Sequence, residues 1–259
     1  MSGSKLKIDI RRNKILELLR EDGKVSVVDL SSRLCTTAVT IRNDLTALER
    51  DGYLIRTKGG AVLVPHQEEG ANNPLISMRV DRSDEKLAIA NAVAGMIRDG
   101  DTLFINSGST TQVLASALKV RSNLNIVTNS LAAATILADV PTFRVVLLGG
   151  SLNATYGFTY GGDAQHQLAK FQADWAFLSV DGISVRGGIT THHTEEAVID
   201  RMMIEGARSA WVVLDRSKLG RAGFARIEED LRRVGLVTSA GDPSETRDLE
   251  RSGMEIVYA

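Results

Sequence analysis

The chain has 259 residues, of which 43% are hydrophobic and 24% charged, with a net charge of −1 and a single cysteine. That balance fits a globular protein with length for two cores, and it excludes disorder as the main state. One thiol, Cys35, excludes an internal disulfide framework, and no apolar run approaches the roughly 18–20 residues that a membrane-spanning helix needs.

Lys5, Lys7, Arg11, Arg12 and Lys14 have no apolar segment behind them, so no secretory signal is predicted, and the lone thiol fits a reducing cytoplasm. Ile8, Ile15, Leu18 and Leu19 recur at helical spacing, and Asp22-Gly23 supplies a stop, which predicts a first helix. Ser26 then precedes an apolar-periodic segment with Asp29 three residues on, a capping box with Asp in place of Glu. Val28, Leu30 and Leu34 are expected to form the buried side of this second helix. After Cys35-Thr36, Thr37 caps a third helix in which Ile41, Leu45 and Leu48 fall at i, i+4 and i+7, with Gly52 just past its end. Strand-like runs at 53–56 and 61–64 flank Thr57-Lys58-Gly59-Gly60, a hairpin with a basic tip. These elements make a three-helix unit followed by a wing.

At about 100° per residue, with Ile41, Leu45 and Leu48 toward the core, Val39, Asn43, Thr46 and Arg50 point away and Arg42 lies at the flank. Such side chains can read a DNA major groove: Asn pairs with adenine, Arg with guanine or phosphate, and Val39 or a Thr methyl touches the thymine methyl. Thr36, Thr37 and Thr40 cluster at the helix start, where hydroxyls and free N–H groups suit phosphate, and Arg56 and Lys58 add charge from the wing. Residues 1–60 hold twelve Lys and Arg against eight Asp and Glu, whereas 61–259 hold nineteen against twenty-four. A basic head on an acidic body fits a polyanion-binding module. The competing reading is a solvated face on a small bundle used for protein contacts.

The run at 65–75, "PHQEEGANNPL", lacks periodicity and reads as a linker between a DNA-binding domain at 1–64 and a larger domain at 76–259. In the latter, Ser83 with Asp84 and Glu85 starts a helix to Arg98, and Gly100 ends it. "TLFIN", "LNIVTN", "FRVVLLGG", "DWAFLSVDG", "AWVVLD", "VGLVTS" and "MEIVYA" follow as short β-rich runs, most of them separated by helical segments. Continuous rather than alternating hydrophobics mark strands buried on both faces, so the expected fold is an α/β domain with a mainly parallel sheet.

Ligands bind such sheets where strands end and helices begin. Asn106, Ser107, Gly108, Ser109, Thr110 and Thr111 follow a strand and open a helix, offering close backbone approach and hydroxyls to an anion. The stretch is no P-loop, since the Gly-Lys-Ser/Thr ending is missing. Other strand ends supply Asn129, Ser130, Gly149, Gly150, Asp181, Gly182, and Asp215 with Ser217 and Lys218. Singly each reads as turn chemistry; together they favour a small phosphorylated polar ligand.

The run "VTIRNDLTALERDGYLIRTKGGAVL" resembles the DeoR family of bacterial transcriptional regulators, whose pattern is Thr-(Ile/Val)-Arg-x-Asp-Leu, then Leu-Glu, a Gly, an Arg and Gly-Gly-Ala. Cys35-Thr36-Thr37 stands where relatives often carry Val-Ser or Ile-Ser, and Asn106 where they often carry Asp. The larger domain resembles the family's effector domain, related to ribose-5-phosphate isomerase. The resemblance implies a winged helix-turn-helix repressor of carbohydrate use that binds double-stranded operator DNA as a homodimer or higher oligomer and answers to a sugar phosphate. It further implies that the loop at 107–111 holds the phosphate, Lys218 adds positive charge, and Asn129, Asp181 and Glu195 meet sugar hydroxyls. No cofactor or metal is called for; His192-His193 with Glu195-Glu196 lacks a third ligand. The runner-up is an isomerase using Glu195 as base, in which Asp181-Gly182-Ile183-Ser184 has lost the second acid of the enzyme's Asp-Gly-Ala-Asp. Cys35 is expected to be a small packed thiol, and Trp175 and Trp211 core residues.

Overall fold

The computed structural model describes residues 11–12, 14–16, 18–19, 22–50, 54–63, 84–239 and 243–259. The chain divides into two compact units, Met1–Asn72 and Asn73–Ala259. Ile8, Gly52, Ser83 and the linker at 65–75 lie outside the described residues, as do the side chains of Arg50 and Leu63.

In the smaller unit, helical residues between 11 and 22 end before Gly23, which turns the chain at φ +69°. Then come β1 (Lys24–Ser26), α1 (Val27–Arg33), α2 (Ala38–Arg50), β2 (Leu54–Thr57) and β3 (Gly60–Leu63). Ser26 caps α1 by accepting from Asp29 N at 3.0 Å, as its spacing predicts. Thr37 does the same for α2 through Thr40 N at 3.2 Å. Ile15, Leu18, Leu19, Leu30, Ile41, Leu45 and Leu48 form one core with Val25, Val27, Leu54 and Ala61. Val28, expected inside, is 79% exposed, and Leu34 is half-buried. The helix starts at Val27, so Val27 and Leu30 share the buried face and Val28 is turned off it.

The wing hairpin pairs Leu54 with Leu63 through Thr57 with Gly60, and β1, absent from the sequence expectation, adds a third antiparallel strand. That strand explains Gly60, because a Cβ there would lie 1.8 Å from Val25 O. Beneath α2, Asp44 is only 2% exposed and accepts from Arg11 Nε and, at 3.1 Å, from Arg12 Nε. Two of the basic residues counted toward a polyanion surface are thereby committed to tying the first helix to α2.

The larger unit contains a seven-stranded, wholly parallel sheet in the order β15-β14-β12-β9-β4-β5-β6. Its strands are β4 (Thr102–Ile105), β5 (Asn125–Thr128), β6 (Arg144–Leu147), β9 (Ala173–Leu178), β12 (Ala207–Val213), β14 (Gly235–Thr238) and β15 (Ile256–Tyr258), one from each β-rich run read in the sequence. Leu103, Ile105, Phe177, Trp211 and Val237 pack on one face against α3 (Asp84–Met96), α4 (Ser109–Ala117) and α5 (Leu131–Ala138). Phe104, Leu178, Val212 and Leu236 pack on the other against α6 (Gly162–Leu168), α7 (Thr194–Gly206) and α8 (Pro243–Arg251). Burial on both faces is why these runs are continuously apolar.

A two-stranded hairpin of β7 (Ser151–Asn153) and β8 (Phe158–Tyr160), and an antiparallel sheet of β10 (Gly182–Ser184), β11 (Gly188–Thr191) and β13 (Ala225–Glu228), decorate this frame. From β4 the chain winds outward through β5 and β6, then returns to β9 on β4's other side and winds the opposite way. The point of reversal, between the ends of β4 and β9, is where doubly wound sheets open a crevice. Among the described residues, no helix is long and apolar enough to cross a membrane.

Candidate nucleic-acid interface and effector site

The outward face of α2 carries Val39, 63% exposed, with exposed Arg42, Asn43 and Thr46. Thr46 is already engaged: its hydroxyl donates to Arg42 O at 2.9 Å and accepts from Arg56 Nη1 at 2.8 Å. Arg56 N also donates to Glu49 Oε1 at 2.9 Å. These bonds fasten the wing to α2, leaving Val39, Arg42 and Asn43 as the groups presented outward and Lys58 exposed at the wing's turn. Thr36 and Thr40 are half-buried at the helix start and Thr37 is exposed there, sharing a hydrogen with Thr40 Oγ1 at 2.9 Å. Cys35 is exposed, not packed; it takes the left-handed turn conformation, φ +47°, between α1 and α2.

In the larger unit the loop after β4 runs against the end of β9. Gly108 adopts φ +154°, and a Cβ there would fall 2.4 Å from Ser179 Cβ, so glycine permits the approach. Asn106 Nδ2 donates to Ser179 O at 2.9 Å and to Asp200 Oδ1 at 3.0 Å, while its Oδ1 accepts from Ser179 N at 2.8 Å. Its amide hydrogens are both used within the protein, so Asn106 binds the strand ends together. Ser107 Oγ donates to Glu196 Oε1 at 2.6 Å. Ser109 is exposed at the N-terminus of α4, Thr111 Oγ1 donates to Gly108 O at 3.0 Å, and Thr110 Oγ1 is buried without a partner.

Asn129 is fully buried with Oδ1 unpartnered, and Ser130 caps α5 through Ala133 N at 3.2 Å. Gly149 N donates to Gln167 Oε1 at 3.0 Å. Gly150, at φ +123°, and Gly182 pass within clash distance of Tyr160 O and the Arg221 backbone for any Cβ, which accounts for both as close backbone approaches. Lys218 Nζ donates to Val180 O at 2.5 Å.

The glutamate facing this crevice is Glu196. Helix α7 begins at Thr194, so Glu196 and Asp200 turn inward, while Glu195 is exposed and accepts from Thr194 Oγ1 at 3.1 Å. Glu195, expected to meet a ligand, lies on the exposed side of α7, and Glu196 is the glutamate turned inward beside it. Thr191 Oγ1 lies 3.0 Å from Asp181 Oδ2 and 2.9 Å from Glu196 Oε2, joining the two acids. Burial pushes Glu196 up to about 7, opposed by the Ser107 hydrogen bond and assisted by the Asp181 charge. Burial and then the Glu196 charge hold Asp200 well above the usual carboxylate range. Burial acts upward on Asp181 too, but the charges of His192 and Lys218 and the donors of His192 and Thr191 outweigh it, leaving this carboxyl low. Among the described residues, no group of three or more His, Cys, Asp or Glu side chains is placed to hold a metal ion.

Glu196 holds its proton more tightly in the folded protein than at its ordinary value of 4.5. Its contribution to stability is therefore complete below about pH 4.5 and is lost as pH rises toward about 7. Urea midpoints measured at about pH 5 and pH 7.5 are expected to fall between the two, and Glu196→Gln to shrink the fall, the remainder belonging to Asp200.

A family model for the DeoR-like helix-turn-helix domain matches residues 11–67, and one for the DeoR C-terminal sensor domain matches 81–239. A putative aga operon transcriptional repressor of Escherichia coli O157:H7 is 30% identical over 248 residues, covering 95% of this chain and 92% of the relative. The glycerol-3-phosphate regulon repressor of Escherichia coli K12 is 35% identical over 211 residues, 82% of each chain. The transcriptional repressor GlcR of Bacillus subtilis is 31% identical over 246 residues, 94% of this chain and 93% of its own. A solved ribose 5-phosphate isomerase from Methanocaldococcus jannaschii overlaps 51% of this chain and 52% of its own, with 16% identity and a TM-score of 0.38.

Proposed function

The chain belongs to the DeoR family of transcriptional regulators, and from that premise we propose that it represses a carbohydrate-utilisation operon and leaves operator DNA when a phosphorylated sugar or related metabolite binds its larger unit. It is a DNA-binding regulator, not an enzyme; its relatives are named as repressors, and the glutamate required by the isomerase alternative, Glu195, is exposed and bonded to Thr194 Oγ1. The observation that carries the DNA reading is the outward presentation of Val39, Arg42 and Asn43 on a helix whose wing is tied to it.

In this reading residues 1–64 are the head, 65–75 the linker and 76–259 the effector domain. Asn43 pairs with adenine, Arg42 and Arg50 with guanine or phosphate, and Val39 with a thymine methyl. Thr36, Thr37, Thr40, Arg56 and Lys58 meet the backbone, with Thr46 bracing Arg56. Heads work in pairs on repeated half-sites, because one small module gives limited discrimination. The effector's phosphate sits at Ser109 and the N-terminus of α4 near Lys218, while Asn129, Asp181 and Glu196 face its hydroxyls. The glycerol-3-phosphate regulon named for one relative supports a phosphorylated polyol as the ligand class.

Two substitutions test the division of labour. Asn43→Ala is expected to reduce discrimination by about 1–3 kcal/mol at its own base pair. Lys58→Ala is expected to weaken cognate and random duplexes alike and to reduce the salt slope by about one. Binding isotherms over a salt series distinguish them, and equal effects of both variants on both duplexes would refute the assignment.

A further inference from the structure

Ser107 opens the loop on which the effector reading rests, yet its one hydroxyl hydrogen points out of that loop, to Glu196 Oε1 at 2.6 Å. Thr191 likewise has one hydroxyl hydrogen for two carboxylates, Asp181 Oδ2 at 3.0 Å and Glu196 Oε2 at 2.9 Å. With Glu196 ionised, Ser107 has given its hydrogen away and shows an approaching anion only lone pairs. A neutral Glu196 has a hydrogen of its own to donate to Ser107 Oγ, and the serine hydrogen is then free to turn toward the loop.

We propose that Glu196 is a proton-linked gate on the effector site: an anion settling on the loop at 107–111 is taken up together with one proton on Glu196, which reverses the Ser107–Glu196 hydrogen bond and aims the Ser107 hydroxyl at the anion. The inference rests on the loop being the anion-binding part of the effector site. It adds the residue that couples that site to pH.

The neighbours determine which group takes the proton. Asp181, at the end of β9, accepts from His192 N at 2.9 Å and from Thr191, and it lies near Lys218 of the turn Arg216–Lys218, an environment that keeps it charged. Asp200, one turn along α7, is wholly buried beside Glu196, with one oxygen unpartnered, and burial and the Glu196 charge push its carboxyl well above the usual range. Glu196 is poised between these two, close to neutrality. His192, whose backbone N donates to Asp181 at 2.9 Å, is a further titratable residue of this cluster.

Calorimetric titration of the full chain with inorganic sulfate, whose charge is constant across the range, tests the proposal. Runs at about pH 6 and pH 8 in buffers of different ionisation enthalpy count the protons taken up per anion. The wild type is expected to take up close to one proton at pH 8 and to bind on the order of tenfold more weakly there than at pH 6. Glu196→Gln keeps a neutral donor toward Ser107, so it should bind equally at both pH values, more tightly than wild type at pH 8, with no proton uptake. Ser107→Ala should lose the advantage at low pH. Sulfate binding without uptake in the wild type overturns the gate and leaves the effector reading standing. Uptake that persists in Glu196→Gln moves the linkage to His192 and also overturns it. Absence of sulfate binding at either pH removes the anion site and the gate together.

Discussion

Replacing Asp44 with alanine is expected to loosen the DNA-reading helix on its core without removing a single group that touches DNA. Asp44 is buried on the underside of α2 and holds both Arg11 and Arg12, residues more than thirty positions earlier. Deleting one partner of a buried ion pair typically costs about 3–5 kcal/mol, because charges are left uncompensated. The arginines keep some contact with water, at 19% and 29% side-chain exposure, so about 3 kcal/mol is expected. A domain of this size has on the order of 5 kcal/mol in total, so about 2 kcal/mol would remain, and α2 would be released from the first helix on the order of a hundredfold more often than in the wild type. Amide exchange should accelerate across residues 38–50 while the strands of the larger unit stay protected. Unchanged protection of α2 in Asp44→Ala would show that this pair does not hold the reading helix.

Gly108→Ala is expected to do the reverse, eliminating the effector response while operator affinity stays intact. The new Cβ would lie 2.4 Å from Ser179 Cβ and 2.5 Å from Ser179 Oγ, at a φ of +154° that side chains rarely adopt. The ends of β4 and β9 would have to separate, pulling apart the loop at 107–111 and the Asn106–Ser179–Asp200 bonds that set its position. Since a ligand held only by the folded form raises its stability, a thermal-shift panel of sugar phosphates should show a response in the wild type and at least about a tenfold loss of sensitivity in Gly108→Ala. A variant that keeps both the shift and the inducer response would contradict the placement of the site.

Much of this architecture was visible in local pattern. The sheet strands were legible because strands buried on both faces must be uniformly apolar, and α2 because Ile41, Leu45 and Leu48 fix its phase. What escaped depended on contacts distant in sequence or on small shifts in helical phase. Three residues of β1 carry no periodicity of their own, and their pairing shows only as the glycine requirement at Gly60. The Asp44 tie spans more than thirty residues, beyond any window of helix or strand spacing.

Adjacent Glu195 and Glu196 differ only by one step of a helix, and the positions that decide between them were readable: Ala197, Ile199, Met203 and Ile204 are all buried, which puts Glu196 and Asp200 on the inner face. Val28 was misplaced although the Ser26 cap was read correctly, because Val27, not Val28, shares the buried face with Leu30. Asn106 read as a candidate ligand contact because its polar type says nothing of the Ser179 and Asp200 groups that occupy its amide.

The central claim, that Val39, Arg42 and Asn43 present a reading surface to operator DNA, is tested most directly by exposing the purified full chain to fragments of its own genome at low salt and sequencing those retained. The account predicts a few discrete fragments upstream of carbohydrate-utilisation genes, sharing repeated half-sites, and loss of that selectivity in Asn43→Ala. Retention of nothing, or of all fragments equally by wild type and variant alike, would contradict it.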